Sequence, residues 1–183
     1  MRYIRAWCPG GTYFFTVNLA ERSRTLLVDH IGHLRETVRK VKQAHPFDIL
    51  AWVVLPDHLY AVWTLPEGDA DCSSRWSLIK TGFSRGITQG ERISASRQYK
   101  RERGIWQRRY WEHLITDEPD LWRHVHYVHI NPVKHGHVQQ AHEWPYSSIH
   151  RDIRLGLLPP PSKAEDDFSM GENHGIGQIG QWY

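Results

Sequence analysis

Alternation and helical spacing divide the chain into seven regular elements before any chemistry is considered. Gly10-Gly11 precedes Thr12 to Leu19, a run rich in aromatic and β-branched residues that predicts a first strand. From Leu26 to Ala44 the apolar positions Leu27, Ile31, Leu34, Val38 and Val41 recur at three- and four-residue steps, which predicts one helix stopped by Pro46. Phe47 to Leu55 reads as a second strand, and the tight turn at Pro56-Asp57 leads into a third that ends at Pro66-Glu67-Gly68-Asp69. In that third strand alternation puts His58 and Tyr60 on one face, and Leu59, Ala61, Trp63 and Leu65 on the other. The second face has the composition of a core; the first carries chemistry at its start.

A second helix spans about Ser73 to Ile87, with Trp76, Ile79 and Phe83 as its apolar stripe. Tyr110 to Ile115 gives a fourth strand. Thr116 or Asp117 can cap a third helix, with Pro119 in its first turn, Leu121, Trp122, Val125 and Val128 inward, and an end near Asn131-Pro132. Glu143 to Arg154 adds a short helix. The order β-α-β-β-α-β-α is a split βαβ unit with one added helix, an α+β antiparallel sheet. One domain over residues 1–158 is expected, followed by a flexible tail over 159–183 that lacks periodicity.

Composition narrows the function classes. The amino terminus lacks a secretory pattern and no stretch has the length of a membrane span, so a cytoplasmic protein with no membrane partner is expected. Cys8 and Cys72 are the only cysteines, too few and too far apart for a disulfide framework or a structural zinc site. The net charge of +3 is weak, but its distribution is not. Between Arg92 and Arg109 seven basic residues face only Glu102, with Tyr99, Trp106, Tyr110 and Trp111 among them. Basic charge interleaved with aromatics suits a groove that tracks phosphates and stacks unpaired bases, and equally a solvated loop beside core aromatics.

The third helix carries Tyr127 and Asn131 four residues apart, hence on one face. Docked on the chemical face of the sheet, it would join a phenol and a carboxamide oxygen to the His58 imidazole. Imidazole and amide oxygen can hold a divalent cation, and a phenol can attack phosphorus.

Several ordered motifs then resemble one family. They are Gly10 to Leu19, Ala51-Trp52-Val53-Val54-Leu55-Pro56-Asp57-His58, Trp63 to Asp69, Ser74-Arg75-Trp76, Ile105 to His113, Tyr127, and Ile130-Asn131-Pro132-Val133-Lys134-His135-Gly136. Together they resemble the REP-associated tyrosine transposases, which are single-tyrosine HUH endonucleases. The resemblance implies a ferredoxin-like sheet and cleavage of single-stranded DNA beside a palindromic hairpin. The products would be a 5′-phosphotyrosine and a free 3′-hydroxyl, formed with Mg²⁺ or Mn²⁺ and no nucleotide cofactor. It makes Tyr127 the nucleophile, His58 the first metal ligand and Asn131 the ligand from the helix. The family's second histidine falls at position 60, which here is Tyr60.

A neutral phenol, with an ordinary pKa of about 10, is a poor ligand for either cation. Two outcomes are open at this point. The chain cleaves DNA with a depleted ligand set, to which His113 or His126 could add; or it binds hairpins without cleaving them. Arg75, Lys80, Arg101, Arg103, Trp106, Arg108, Arg109 and Lys134 are the expected DNA-contacting residues. A third class, an RNA-binding module stacking bases on Phe14 and Phe15, ranks below both. Glu165, Asp166 and Asp167 in the tail could also fold onto the basic groove and compete with DNA.

Overall fold

The computed structural model describes residues 8–159; the expected tail and its acidic cluster lie outside the described residues. Four strands, β1 (Thr12–Asn18), β2 (Asp48–Val54), β3 (His58–Thr64) and β4 (Trp111–Leu114), form one antiparallel sheet in the order β2-β3-β1-β4. This is the ferredoxin-like arrangement expected from the element order. The helices are α1 (Leu26–Asp29), α2 (Ile31–Ala44), α3 (Cys72–Arg85), α4 (Ala95–Tyr99), α5 (Glu118–Lys134) and α6 (Ile149–Arg154), with a 3₁₀ turn at Ala141–Glu143.

Both faces of the sheet are covered. On one, Tyr13, Phe15, Val17, Leu59, Ala61 and Trp63 pack under α2 and α3. The Trp63 and Trp76 rings stack there at 4.2 Å. Thr37 lies so close to Gly82 that a Cβ on that glycine would sit 2.7 Å from its methyl, which is why α3 carries no side chain at this crossing. On the other face, Phe14, Tyr60, Val62, Ala51 and Val53 pack under Val125 and Val128 of α5. The face expected to be chemical is therefore also core, apart from its end at His58. Phe14 and Phe15 are both buried, so neither offers a stacking surface to RNA.

Several boundaries differ from expectation, among them the last helix, which spans Ile149–Arg154 rather than Glu143 to Arg154. The first predicted helix is broken at His30 into α1 and α2, and Leu27 N–H donates to Pro56 O at 3.2 Å. The basic segment contains α4, capped by the Ser94 hydroxyl. And α5 does not end at Asn131-Pro132: it runs on to Lys134. Pro132 removes one amide donor, yet the helix closes beyond it in a Schellman motif, with His137 N–H on Pro132 O and Gly136 N–H on Val133 O, both at 2.9 Å. Gly136 makes this possible at φ +69°, a left-handed conformation that other residues adopt at a cost. At its start α5 is capped by the Asp117 carboxylate, 2.8 Å from Asp120 N–H, as the sequence predicts. Among the described residues, no helix is long and apolar enough to cross a membrane.

Candidate active site and nucleic-acid surface

His58 opens β3, pinned by the turn before it. Its Nδ1 lies 2.6 Å from the Asp57 carboxylate, and Asp57 also pairs with Arg22, which reaches Asn18 Oδ1 at 3.3 Å. Burial pushes the Asp57 carboxyl up, but hydrogen bonds from His58 and Arg22 outweigh it and hold it at about 2. An anionic carboxylate on Nδ1 keeps the proton there and leaves the Nε2 lone pair bare. Nε2 is buried and has no hydrogen-bond partner among the described residues. A buried, unpaired imidazole nitrogen with its tautomer fixed by a carboxylate fits the place of a metal ligand.

Tyr60 follows two residues later on the same face, only 4% exposed. Its ring stacks on Phe14 and meets His58 and Tyr127 edge-on, with centroids 5.0 and 5.5 Å away. Burial, followed by the neighbouring Tyr127 phenol, raises its pKa above the ordinary value. The side chain at position 60 is thus a neutral packing element at physiological pH.

Tyr127 is half-buried on α5, its ring against Phe14 and Tyr60 and the Lys134 ammonium 5.0 Å from the ring centroid. Asn131 is buried, and its Nδ2 donates to the Tyr127 carbonyl at 2.7 Å. That bond orients the carboxamide, committing nitrogen to the helix and leaving oxygen as the end able to meet a cation. One turn further on, the exposed His135 sets its ring 4.8 Å from that of His58. Position 135 continues the Tyr127–Asn131 row at four-residue spacing, which is the sequence signal that could have found it.

Neither histidine suggested as a stand-in joins this group in the same way. His113 sits on β4, and its Nε2 is 2.8 Å from Asp120 at the opposite end of α5. His124 stacks on His113, and the ligand-type atoms of His113, Asp120 and His124 all lie within 4.8 Å of one another. His126 is half-buried on α5.

The basic residues divide into two sets. Arg75 is 3% exposed and its guanidinium is spent on Asp69, Asp71 O and Pro46 O at 2.7 to 2.8 Å, so it holds the ends of α2 and α3 rather than facing a ligand. Arg103 is engaged by Glu91, Ser84 O and Ile87 O. Trp106 is core, donating to Lys80 O, and Lys80 reaches back to Gln107 O at 3.0 Å. These four side chains all bond within the protein, because charge spacing does not reveal which polar groups satisfy buried carbonyls. Arg101, Arg108, Arg109 and Lys134 are exposed, with Arg108 paired to Glu102.

No family model matches the chain. A REP-associated tyrosine transposase of Escherichia coli K12, however, is 46% identical over 171 residues, covering 93% of this chain and 96% of the relative. The chain belongs to the REP-associated tyrosine transposases. A second relative in this family, from Haemophilus influenzae, is 42% identical over 169 residues, covering 92% of this chain and 96% of its own length. A REP-associated tyrosine transposase solved bound to a REP hairpin has a TM-score of 0.76 and 45% identity, covering 95% of this chain and 98% of that one. The fold of that solved relative is therefore the one described above for residues 8–159.

Proposed function

We propose that this chain is a DNA transposase that binds REP-like hairpins, and that it cleaves and rejoins single-stranded DNA through a phosphotyrosine on Tyr127. The observation that carries the reading is the bare, buried Nε2 of His58 on the face over which α5 lays Tyr127 and Asn131, in a chain of this family. His58 Nε2 and the Asn131 carboxamide oxygen would hold Mg²⁺ or Mn²⁺. When bound, the cation polarises a non-bridging phosphate oxygen and stabilises the charge that develops on it. Asp57 keeps His58 in the tautomer that leaves Nε2 free. The Tyr127 phenol gives its proton to water and its oxygen bonds phosphorus in line, while the P–O3′ bond breaks and the 3′ oxygen takes a proton from water to leave as a hydroxyl. Because the phosphotyrosine conserves the bond energy, another 3′-hydroxyl can reverse the step and join strands.

Arg101, Arg108, Arg109 and Lys134 would contact phosphate, with Arg75, Arg103 and Trp106 holding the surface in shape. No nucleotide cofactor enters this chemistry, and a cytoplasmic location is consistent with a DNA substrate. The test is incubation of the protein with labelled hairpin DNA and Mn²⁺. A denaturant-resistant protein–DNA adduct is expected, lost in Tyr127→Phe. An adduct that persists in Tyr127→Phe would refute the assignment.

The buried, neutral Tyr60 at the position of the family's second histidine favours a second reading, in which hairpins are bound but not cleaved. Affinity set by exposed Arg and Lys survives the loss of a metal ligand, whereas cleavage does not. Nicking that is absent in the chain and restored by Tyr60→His would establish this alternative.

A further inference from the structure

With a phenol at position 60, the metal site proposed above lacks its second imidazole, and the fold brings another one beside His58. His135 follows the row Tyr127–Asn131 by one more turn, at the C-cap of α5. Its ring lies 4.8 Å from the His58 ring at an interplanar angle of 68°. The Tyr60 ring also meets His58 edge-on, at 5.0 Å and 82°. His58 is thus in ring contact with both the phenol at position 60 and an imidazole from a different element. Two features make His135 available. It is exposed, with its ring beside those of His58 and His137. It is also held in place, since its N–H donates to Asn131 O at 2.9 Å and the Schellman closure at Gly136 and His137 fixes the backbone on its far side. Asn131 and His135 therefore move as one rigid turn.

We propose that His135 is the second imidazole ligand of the divalent-cation site, taking from the end of α5 the role that position 60 has lost. This rests on the reading of His58 as a metal ligand. The donor set is then His58 Nε2, the Asn131 oxygen and a His135 ring nitrogen, with substrate phosphate and water completing the shell. Two imidazoles shift preference along the divalent series, so Co²⁺ and Mn²⁺ are favoured over Mg²⁺.

The test is Mn²⁺ affinity of the full chain without DNA, measured by electron paramagnetic resonance of free Mn²⁺ and by calorimetry, with folding checked by circular dichroism. His135→Ala and His135→Gln are both expected to weaken Mn²⁺ by roughly tenfold or more, as His58→Ala does, a size usual for disturbing a metal site. Adding Tyr60→His to His135→Ala is expected to restore the affinity, because a second imidazole returns beside His58. Loss in His58→Ala with none in either His135 variant would overturn this proposal and leave the His58 reading standing. A loss in His135→Ala that Tyr60→His does not recover would mean that His135 acts through the helix end, and would overturn it too. Unchanged affinity in His58→Ala would remove both.

Discussion

Replacing Arg103 by alanine separates scaffold charge from surface charge within one basic segment. The Arg103 guanidinium meets Glu91 at 2.8 Å, Ser84 O at 2.5 Å and Ile87 O at 2.7 Å, tying the loop after α3 to the approach to β4. Glu91 is the more enclosed partner, its side chain 5% exposed, and the Arg103 hydrogen bond holds its carboxyl down at about 2. Arg103→Ala leaves that carboxylate buried without a counter-charge and removes the guanidinium donor from Ile87 O, while Ser84 O keeps the Ile87 N–H at 3.2 Å. Breaking a buried pair on one side costs about 3–5 kcal/mol, and with a urea slope of about 2 kcal/mol/M the midpoint falls by about 1.5–2.5 M. Arg109 is exposed, and Arg109→Ala is expected to move stability by less than about 0.5 kcal/mol. In hairpin binding measured against salt the order reverses: Arg109→Ala reduces the slope of log K against log[salt] by about 0.7–0.9, one phosphate contact. Urea unfolding and salt titration on the two variants decide the matter. An Arg103→Ala protein as stable as wild type, with a reduced salt slope, would refute the division.

Acid should weaken the hold of α6 on α5. His129 is buried against Ser148 and Asp152, and burial lowers its pKa to about 4 despite the opposing Asp152 charge. The unfolded chain binds this proton first, so stability is full above about pH 6.5 and falls between about 6.5 and 4, by on the order of 3 kcal/mol. A His129→Gln variant with the same stability slope over that window would contradict this. Below it, Asp57 and Asp120, both held at about 2, contribute stability that is complete above about pH 4 and lost as pH falls toward 2. Stability of Asp57→Asn measured from pH 4 to 2 should show a shallower decline than wild type. Gly136→Ala forces a side chain into φ +69° and should cost about 1–2 kcal/mol in denaturant unfolding. A cost near zero would mean that the Schellman turn does not hold the end of α5.

Much of the site was written in local pattern. Alternation put His58 and Tyr60 on one strand face, and four-residue spacing put Tyr127 and Asn131 on one helix face, because both depend only on the repeat of a single element. The cap at Asp117 and the element order were equally local, and the order restricts the sheet to few topologies. The end of α5 is not local in this way: Pro132 disfavours helix in the residue before it, yet the helix passes it and closes at Gly136, four residues on, in a left-handed turn.

What the sequence by itself determined was therefore which residues share a face, which chemistry those faces carry, and that position 60 carries a phenol. Only the tertiary structure decided that the chemical face is also core under α5, that His58 is paired through Asp57 with its other nitrogen bare, and that His135 arrives beside it. It also decided which arginines are structural, Arg75 and Arg103 being turned inward to carbonyls that no spacing reveals. The physical reason is the same in each case. Repeat period fixes the direction of a side chain relative to its own element, whereas its partners are set by how separate elements pack, and burial then determines charge, tautomer and availability.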